Sequence, residues 1–132
     1  MKRPEICRYC GGRIRLVPAE SIYGEAAATR LGLMGQQIYQ CQNCNARVGC
    51  HKGTDRPLGN VANEALRLKR IETHRVFDAF WKAQHMTRTG AYRWLSQQMH
   101  IPAKQAHIGG FEMEQCQAVI DLCGAQETDD AA

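Results

Sequence analysis

Cys7-Arg-Tyr-Cys10 and Cys41-Gln-Asn-Cys44 place two pairs of closely spaced thiols in a chain of 132 residues. A Cys-x-x-Cys turn aims both of its sulfurs at one ion, and two such hooks supply the four thiolates of a tetrahedral Zn2+ site. Four protein sulfurs close the coordination sphere and leave no position for water or substrate, so the expected chemistry is structural zinc binding. Cys7 stands too near the start to follow the strand that redox Cys-x-x-Cys motifs use. Cys50 and His51 are alternative ligands for one position of the set; otherwise Cys50 is expected to pack beside the hooks.

Other residues could carry chemistry of other kinds. His74 and Asp78 lie one helical turn apart and, with His51 and Asp55, could hold a second, hydrolytic metal, since imidazole and carboxylate suit a hard or borderline cation. Cys116 and Cys123 share an otherwise apolar helix face, where a free thiol behaves as a small hydrophobe. At 100° per residue, Asn63, Arg67, Arg70, His74 and Trp81 gather within about 60° of one helix side. Cations beside an aromatic could meet phosphates and a base. The competing reading is a solvated amphipathic helix with Trp81 against a neighbouring helix.

The elements that must position these groups follow from pattern. Residues 13–17 alternate as a strand, and 37–40 lead as a second strand into the second hook. Between them, 25–31 has helix composition, ended by Gly32 and Gly35. The long periodic stretch 60–83 predicts a helix with Val61, Ala62, Ala65, Leu66, Val76, Phe77, Ala79 and Phe80 on its core face. A second helix is expected from an N-cap at Thr87 to Met99, and a third from Phe111 to Gly124, aligning Met113, Cys116, Val119, Ile120 and Cys123. Residues 91–106 also read loosely as helix, turn and short helix, with Pro102 opening the second element. The expected fold is a small α+β protein, in which an N-terminal four-cysteine zinc ribbon built on a β-hairpin precedes a three-helix region. Its expected parts are a ribbon with an inserted loop and short helix over 1–58, a helical region over 59–124 and an acidic disordered tail over 125–132.

Composition narrows the class. No apolar run approaches the roughly 20 residues of a membrane span, and no signal-peptide core follows the first residues, so a cytoplasmic protein is expected. Seven cysteines in such a chain favour metal over disulfides. The net charge is +4, but 17 Lys and Arg and seven Asp and Glu fall in residues 1–110, whereas six acids and no base follow Phe111. A basic body with an acidic end suits nucleic acid or an acidic protein partner.

Several motifs extend beyond the hooks: Ser21-Ile-Tyr23, Ala46-x-Val48-Gly-Cys50-His51, Gly53-Thr54-x-x-Pro57-Leu-Gly59, His74-x-x-Phe77-Asp78-x-x-Trp81-Lys82, Ala91-Tyr92-x-Trp94-Leu95 and His107-Ile-Gly109. With the hooks, they resemble the zinc-finger-containing domain family of small bacterial and phage proteins, a family of unassigned function. The resemblance spans nearly the whole chain and implies zinc on Cys7, Cys10, Cys41 and Cys44 in a prokaryotic or phage setting. The front part is similar to the zinc ribbons of type I topoisomerases, which bind single-stranded DNA; the longer loop and single ribbon depart from that pattern.

The resulting expectation is a non-enzymatic zinc-ribbon DNA- or other nucleic-acid-binding protein. Lys2, Arg3, Arg8, Arg13 and Arg15 would neutralise phosphates, Tyr9, Tyr23 or Tyr39 would stack, and Arg67, Arg70, His74 and Trp81 would extend the groove. The alternatives are an adaptor or inhibitor that binds a host or self protein, and a metal-dependent hydrolase or nuclease.

Overall fold

The computed structural model describes residues 3–131, with side chains described as far as residue 126. The chain forms two compact units, Met1–Ala65 and Leu66–Ala132. It is a small α+β protein: a three-stranded antiparallel sheet and the four clustered cysteines come first, and the long helices follow.

In the first unit, β1 (Ile14–Pro18), β2 (Gln37–Cys41) and β3 (Arg47–Gly49) lie in the order β1-β2-β3. The expected hairpin thus gains a third strand, which follows the second hook and pairs Tyr39 with Val48. The chain then returns beside β3, where Arg47 and Ala62 exchange backbone hydrogen bonds of 3.0 and 2.9 Å. Because side chains alternate across a strand, Ile14, Leu16, Tyr39, Cys41 and Val48 share one face. That face forms the unit's core with Cys7, Ala46 and Val61. Between β1 and β2, α1 (Glu20–Tyr23) and α2 (Glu25–Arg30) occupy the expected helical insertion. Gly32 and Gly35 follow at φ +71° and +82°, conformations that favour glycine and end the helix.

The second unit contains most of α3 (Glu64–Ala83), together with α4 (Arg88–Met99) and α5 (Met113–Ala131). Thr87 caps α4 as expected, accepting the Gly90 N–H at 3.0 Å. The core comprises Phe77, Phe80, Ala91, Leu95, Ile108, Phe111, Cys116, Val119 and Cys123. Tyr92 meets Phe77 edge-on at 5.0 Å, and Trp94 meets Phe80 at the same distance.

Three expectations about the helical region change. The buried stripe of α3 is Leu66, Arg70, Thr73, Phe77 and Phe80, whereas Ala65 and Ala79 are exposed. The stripe is rotated because Thr73 returns its hydroxyl to the Lys69 carbonyl at 2.7 Å and so enters the core satisfied. α5 begins at Met113 and continues through Gly124 to Ala131, across most of the segment expected to be a disordered tail. Gly124 is absent from the positive-φ glycines, so it does not cap the helix; a helical glycine costs only about 1 kcal/mol, and Ala125, Gln126 and Glu127 are good helix formers. The helix-turn-helix reading of 91–106 also gives way. After α4, Pro102 precedes a single 3-10 turn, Ala103–Gln105, too short to act as a recognition helix.

Candidate metal centre and adjoining sheet face

Each hook is a backbone turn that aims its sulfurs inward. In the first, the Cys7 N–H donates to the Gly12 carbonyl and the Gly11 N–H to the Cys7 carbonyl, both at 2.8 Å. Gly11 takes φ +74°, which a side chain would strain. In the second, the Cys41 N–H donates to the Ala46 carbonyl at 2.9 Å. The β1–β2 register places Ile14 opposite Cys41, which sets the end of β2 beside the first hook.

The ligand atoms of Cys7, Cys10, Cys41 and Cys44 all lie within 4.8 Å of one another. Across the hooks, the Cys7 and Cys44 sulfurs are 3.6 Å apart and those of Cys10 and Cys41 are 3.4 Å apart. Sulfurs placed tetrahedrally at ~2.3 Å from Zn2+ would be separated by ~3.8 Å. The donor set therefore fits structural zinc in both chemistry and spacing, and the closed tetrahedron would supply cross-linking rather than catalysis. Backbone N–H groups are turned toward the sulfurs: Gly12 donates to Cys10 at 3.3 Å, Asn43 and Cys44 donate to Cys41 at 3.4 Å, and Ala46 donates to Cys44 at 3.4 Å. Such bonds favour thiolate over thiol.

The cluster's acidity is strongly divided. Hydrogen bonds from Asn43, the Gly12 N–H and Cys41 draw the Cys10 thiol down to about 6. At Cys44 the Ala46 N–H pulls downward, but burial and the hydrogen bonds of Cys7, Cys10 and Cys41 push the thiol up to about 12. Four thiolates this close repel one another unless a cation lies among them. Close packing makes glycine necessary at position 12, where a Cβ would stand 2.7 Å from the Asn43 Cβ and 3.0 Å from the Cys41 sulfur.

Among the described residues, these four cysteines are the one clustered group of three or more metal-ligating side chains. Cys50 packs at the margin of the ribbon core, where burial raises its thiol pKa. The His51 backbone caps a turn, receiving the Thr54 hydroxyl at 2.8 Å. His74 Nδ1 sits 3.2 Å from the Arg70 carbonyl and Asp78 receives the Trp81 indole N–H at 2.9 Å, so both residues have local roles in α3. Burial lowers the His74 pKa. Cys116 and Cys123 lie in the helical core, and burial raises the pKa of Cys116.

The residues expected to meet nucleic acid separate into several groups. Lys2 lies outside the described residues. Arg3 is paired with Asp55. Arg8 donates to the Val61 carbonyl at 3.2 Å and to the Tyr9 hydroxyl at 3.0 Å, which ties the first hook to the returning chain. Tyr39 is not a stacking surface: it is 4% exposed in the ribbon core, its hydroxyl donating to the Asp55 carbonyl at 2.7 Å. Arg70 is not a phosphate ligand on an outer face: it is 6% exposed, and its Nε donates to the Phe111 carbonyl at 2.8 Å. Trp81 and His74 are half-buried, Trp81 against the helical core, and Arg67 is also half-buried. Charge on a helix face does not by itself mean exposure, because a long guanidinium can close a helix-loop junction.

Arg13 and Arg15 are exposed. Arg15 is the cross-strand partner of Gln40, and Gln40 that of Arg47. The pleat therefore puts Arg15, Gln40 and Arg47 in one row on the sheet face opposite the core. Arg13 precedes β1 in the same alternation. Tyr23, 37% exposed at the end of α1, lies with its ring centroid 5.4 Å from the Arg47 guanidinium carbon. Arg47 is not among the expected contacts because no third strand is expected there, and Gln40, on the expected second strand, has neither a charge nor a ring to single it out. The available signal was the alternation of Ala46, Arg47 and Val48.

Charge follows the same division: residues 1–65 hold nine Lys and Arg against five Asp and Glu, and residues 66–132 hold eight against eight. No helix among the described residues is long and apolar enough to cross a membrane. The model of a family described as a zinc-finger-containing domain matches residues 3–126. No curated protein and no solved structure matches the chain.

Proposed function

Because the chain belongs to the zinc-finger-containing domain family and carries the four-cysteine cluster of a zinc-binding module, we propose that its zinc-held ribbon is a non-enzymatic nucleic-acid-binding surface. The observation that carries this reading is the concentration of the whole net positive charge in residues 1–65, with Arg15 exposed on β1 and Arg13 exposed just before it. Zinc holds the hooks and strands together, the sheet displays the cations, and phosphates replace their counterions. A cytoplasmic bacterial or phage setting belongs to the same proposal.

Fluorescence anisotropy of a labelled oligonucleotide against salt tests it. Three arginine-phosphate contacts on a single strand would give a log-log slope of about −2, since each released counterion contributes about 0.7. Arg15→Gln should reduce that slope by somewhat under one. Affinity unchanged between about 50 and about 200 mM salt would sink the proposal, because phosphate neutralisation must depend on salt.

A second reading, a protein-binding adaptor, is supported by Leu68 and Ile71, which are 58% and 54% exposed and three residues apart on α3. Its signature is a stoichiometric protein retained after nuclease treatment and released by Leu68→Glu. Retention insensitive to Leu68→Glu and Ile71→Glu would remove this surface from consideration. The hydrolase reading would need a second metal-ligating cluster, and among the described residues the four cysteines form the one such group.

A further inference from the structure

The core accounts for one face of the β1-β2-β3 sheet. On the other face, the Arg15, Gln40 and Arg47 row spans all three strands, and neighbouring strands stand about 4.8 Å apart. The row thus places two guanidinium groups on either side of an amide that can both donate and accept. Arg13 and Arg15 have no side-chain hydrogen bond or ion pair among the described residues.

Arg47 supplies an independent sign of a ligand. Its Nε is buried and, among the described residues, is the side-chain nitrogen or oxygen found buried without a hydrogen-bond partner. An N–H in that position costs free energy until an acceptor reaches it. Tyr23 lies against the same guanidinium and keeps part of its ring in solvent. A guanidinium whose Nε lacks an acceptor therefore adjoins a partly exposed aromatic ring.

We infer that Arg15, Gln40, Arg47 and Tyr23 form a nucleotide subsite, taking a phosphate at the arginines and stacking an unpaired base on Tyr23. This rests on the nucleic-acid reading above and narrows it to strands with unstacked bases. A phosphate presents several acceptors to the planar guanidinium and can engage two of its N–H groups together. As the oxyanion engages Arg47, the Tyr23 ring shifts from the guanidinium onto the base. A base inside a duplex is stacked on both sides and leaves no face for Tyr23, so the subsite selects single strands. Gln40, between the arginines, is placed to bond a sugar or base edge. Arg3 and Arg8 are outside the subsite because Asp55 and the Val61 carbonyl already engage them.

The test uses the full zinc-loaded chain, a short fluorescein-labelled oligothymidylate and the same strand annealed to oligoadenylate. Zinc content is measured for every variant, and Tyr23→Phe serves as the conservative partner of Tyr23→Ala. Tyr23→Ala is expected to weaken single-strand binding about tenfold, as loss of one stacked base does, and to leave duplex binding unchanged. Tyr23→Phe should retain single-strand affinity. Arg47→Gln should weaken both and lower the salt slope, whereas Arg30→Gln, on α2, should not alter single-strand preference. Wild-type single-strand affinity in zinc-loaded Tyr23→Ala, with salt-dependent binding intact, would overturn the subsite and leave the broader proposal standing. Failure of both oligonucleotides to bind the wild-type chain at low salt would overturn both proposals.

Discussion

At the residue scale, identity and spacing are most informative where the chemistry permits few solutions. Cys7, Cys10, Cys41 and Cys44 cluster as their spacing implies, and Gly11 and Gly12 show why the first hook has its sequence. Gly12→Ala would drive a methyl group into the Cβ of Asn43, an atom held by the backbone of the second hook. Relief requires the hooks to separate, so zinc affinity should fall by at least about tenfold, in line with disruption of groups that orient metal ligands. Competition with a chromogenic chelator measures this; wild-type affinity in the variant would show that the hooks yield more readily than their packing implies. Arginine and tyrosine are less legible than cysteine. Tyr39 and Tyr23 have the same chemistry, yet Tyr39 faces the ribbon core from β2 whereas Tyr23, at the end of α1, stays partly exposed. Arg70 and Arg15 separate in the same way, because a guanidinium can satisfy a buried carbonyl or remain in water.

At the element scale, local signals predict several boundaries. Thr87 caps α4 because its hydroxyl accepts an N–H that the helix cannot otherwise satisfy, and Gly32 and Gly35 follow the short helix in left-handed conformations. The orientation of α3 is less accessible from periodicity, because Lys69, Arg70 and Thr73 interrupt the apolar pattern where the helix is buried or partly buried. Arg70 Nε donates to the Phe111 carbonyl just before α5, joining two segments far apart in sequence. Arg70→Met keeps the long apolar stem but orphans that bond, so urea unfolding of the helical unit should show a loss of about 2 kcal/mol, the scale of a buried charge-assisted hydrogen bond. Oligonucleotide affinity should remain unchanged. A stable Arg70→Met protein with weakened binding would instead restore this residue to a direct nucleic-acid role.

At the scale of the whole molecule, each compact unit has its own buried cluster. The ribbon cluster includes the ligand cysteines Cys7 and Cys41, whereas the helical cluster is built around Phe77, Phe80, Leu95 and Phe111. Zinc removal should therefore unfold the first unit preferentially, because ligand binding and strand packing share the same core. Hydrogen exchange after chelation should show protection lost in β1–β3 and retained in α4 and the start of α5. Simultaneous loss in both units would contradict independent stabilisation. By itself, the sequence determined the four-cysteine site, the helical insertion and the order from ribbon to helices, because hook spacing, glycine conformations, caps and periodicity act over short distances. Only tertiary structure decided that β3 joins the sheet, that Tyr39 and Arg70 turn inward, and that Arg15, Gln40 and Arg47 align. Those outcomes depend on cross-strand register and on which distant carbonyl or apolar surface a side chain meets, neither of which is contained in the residue's type.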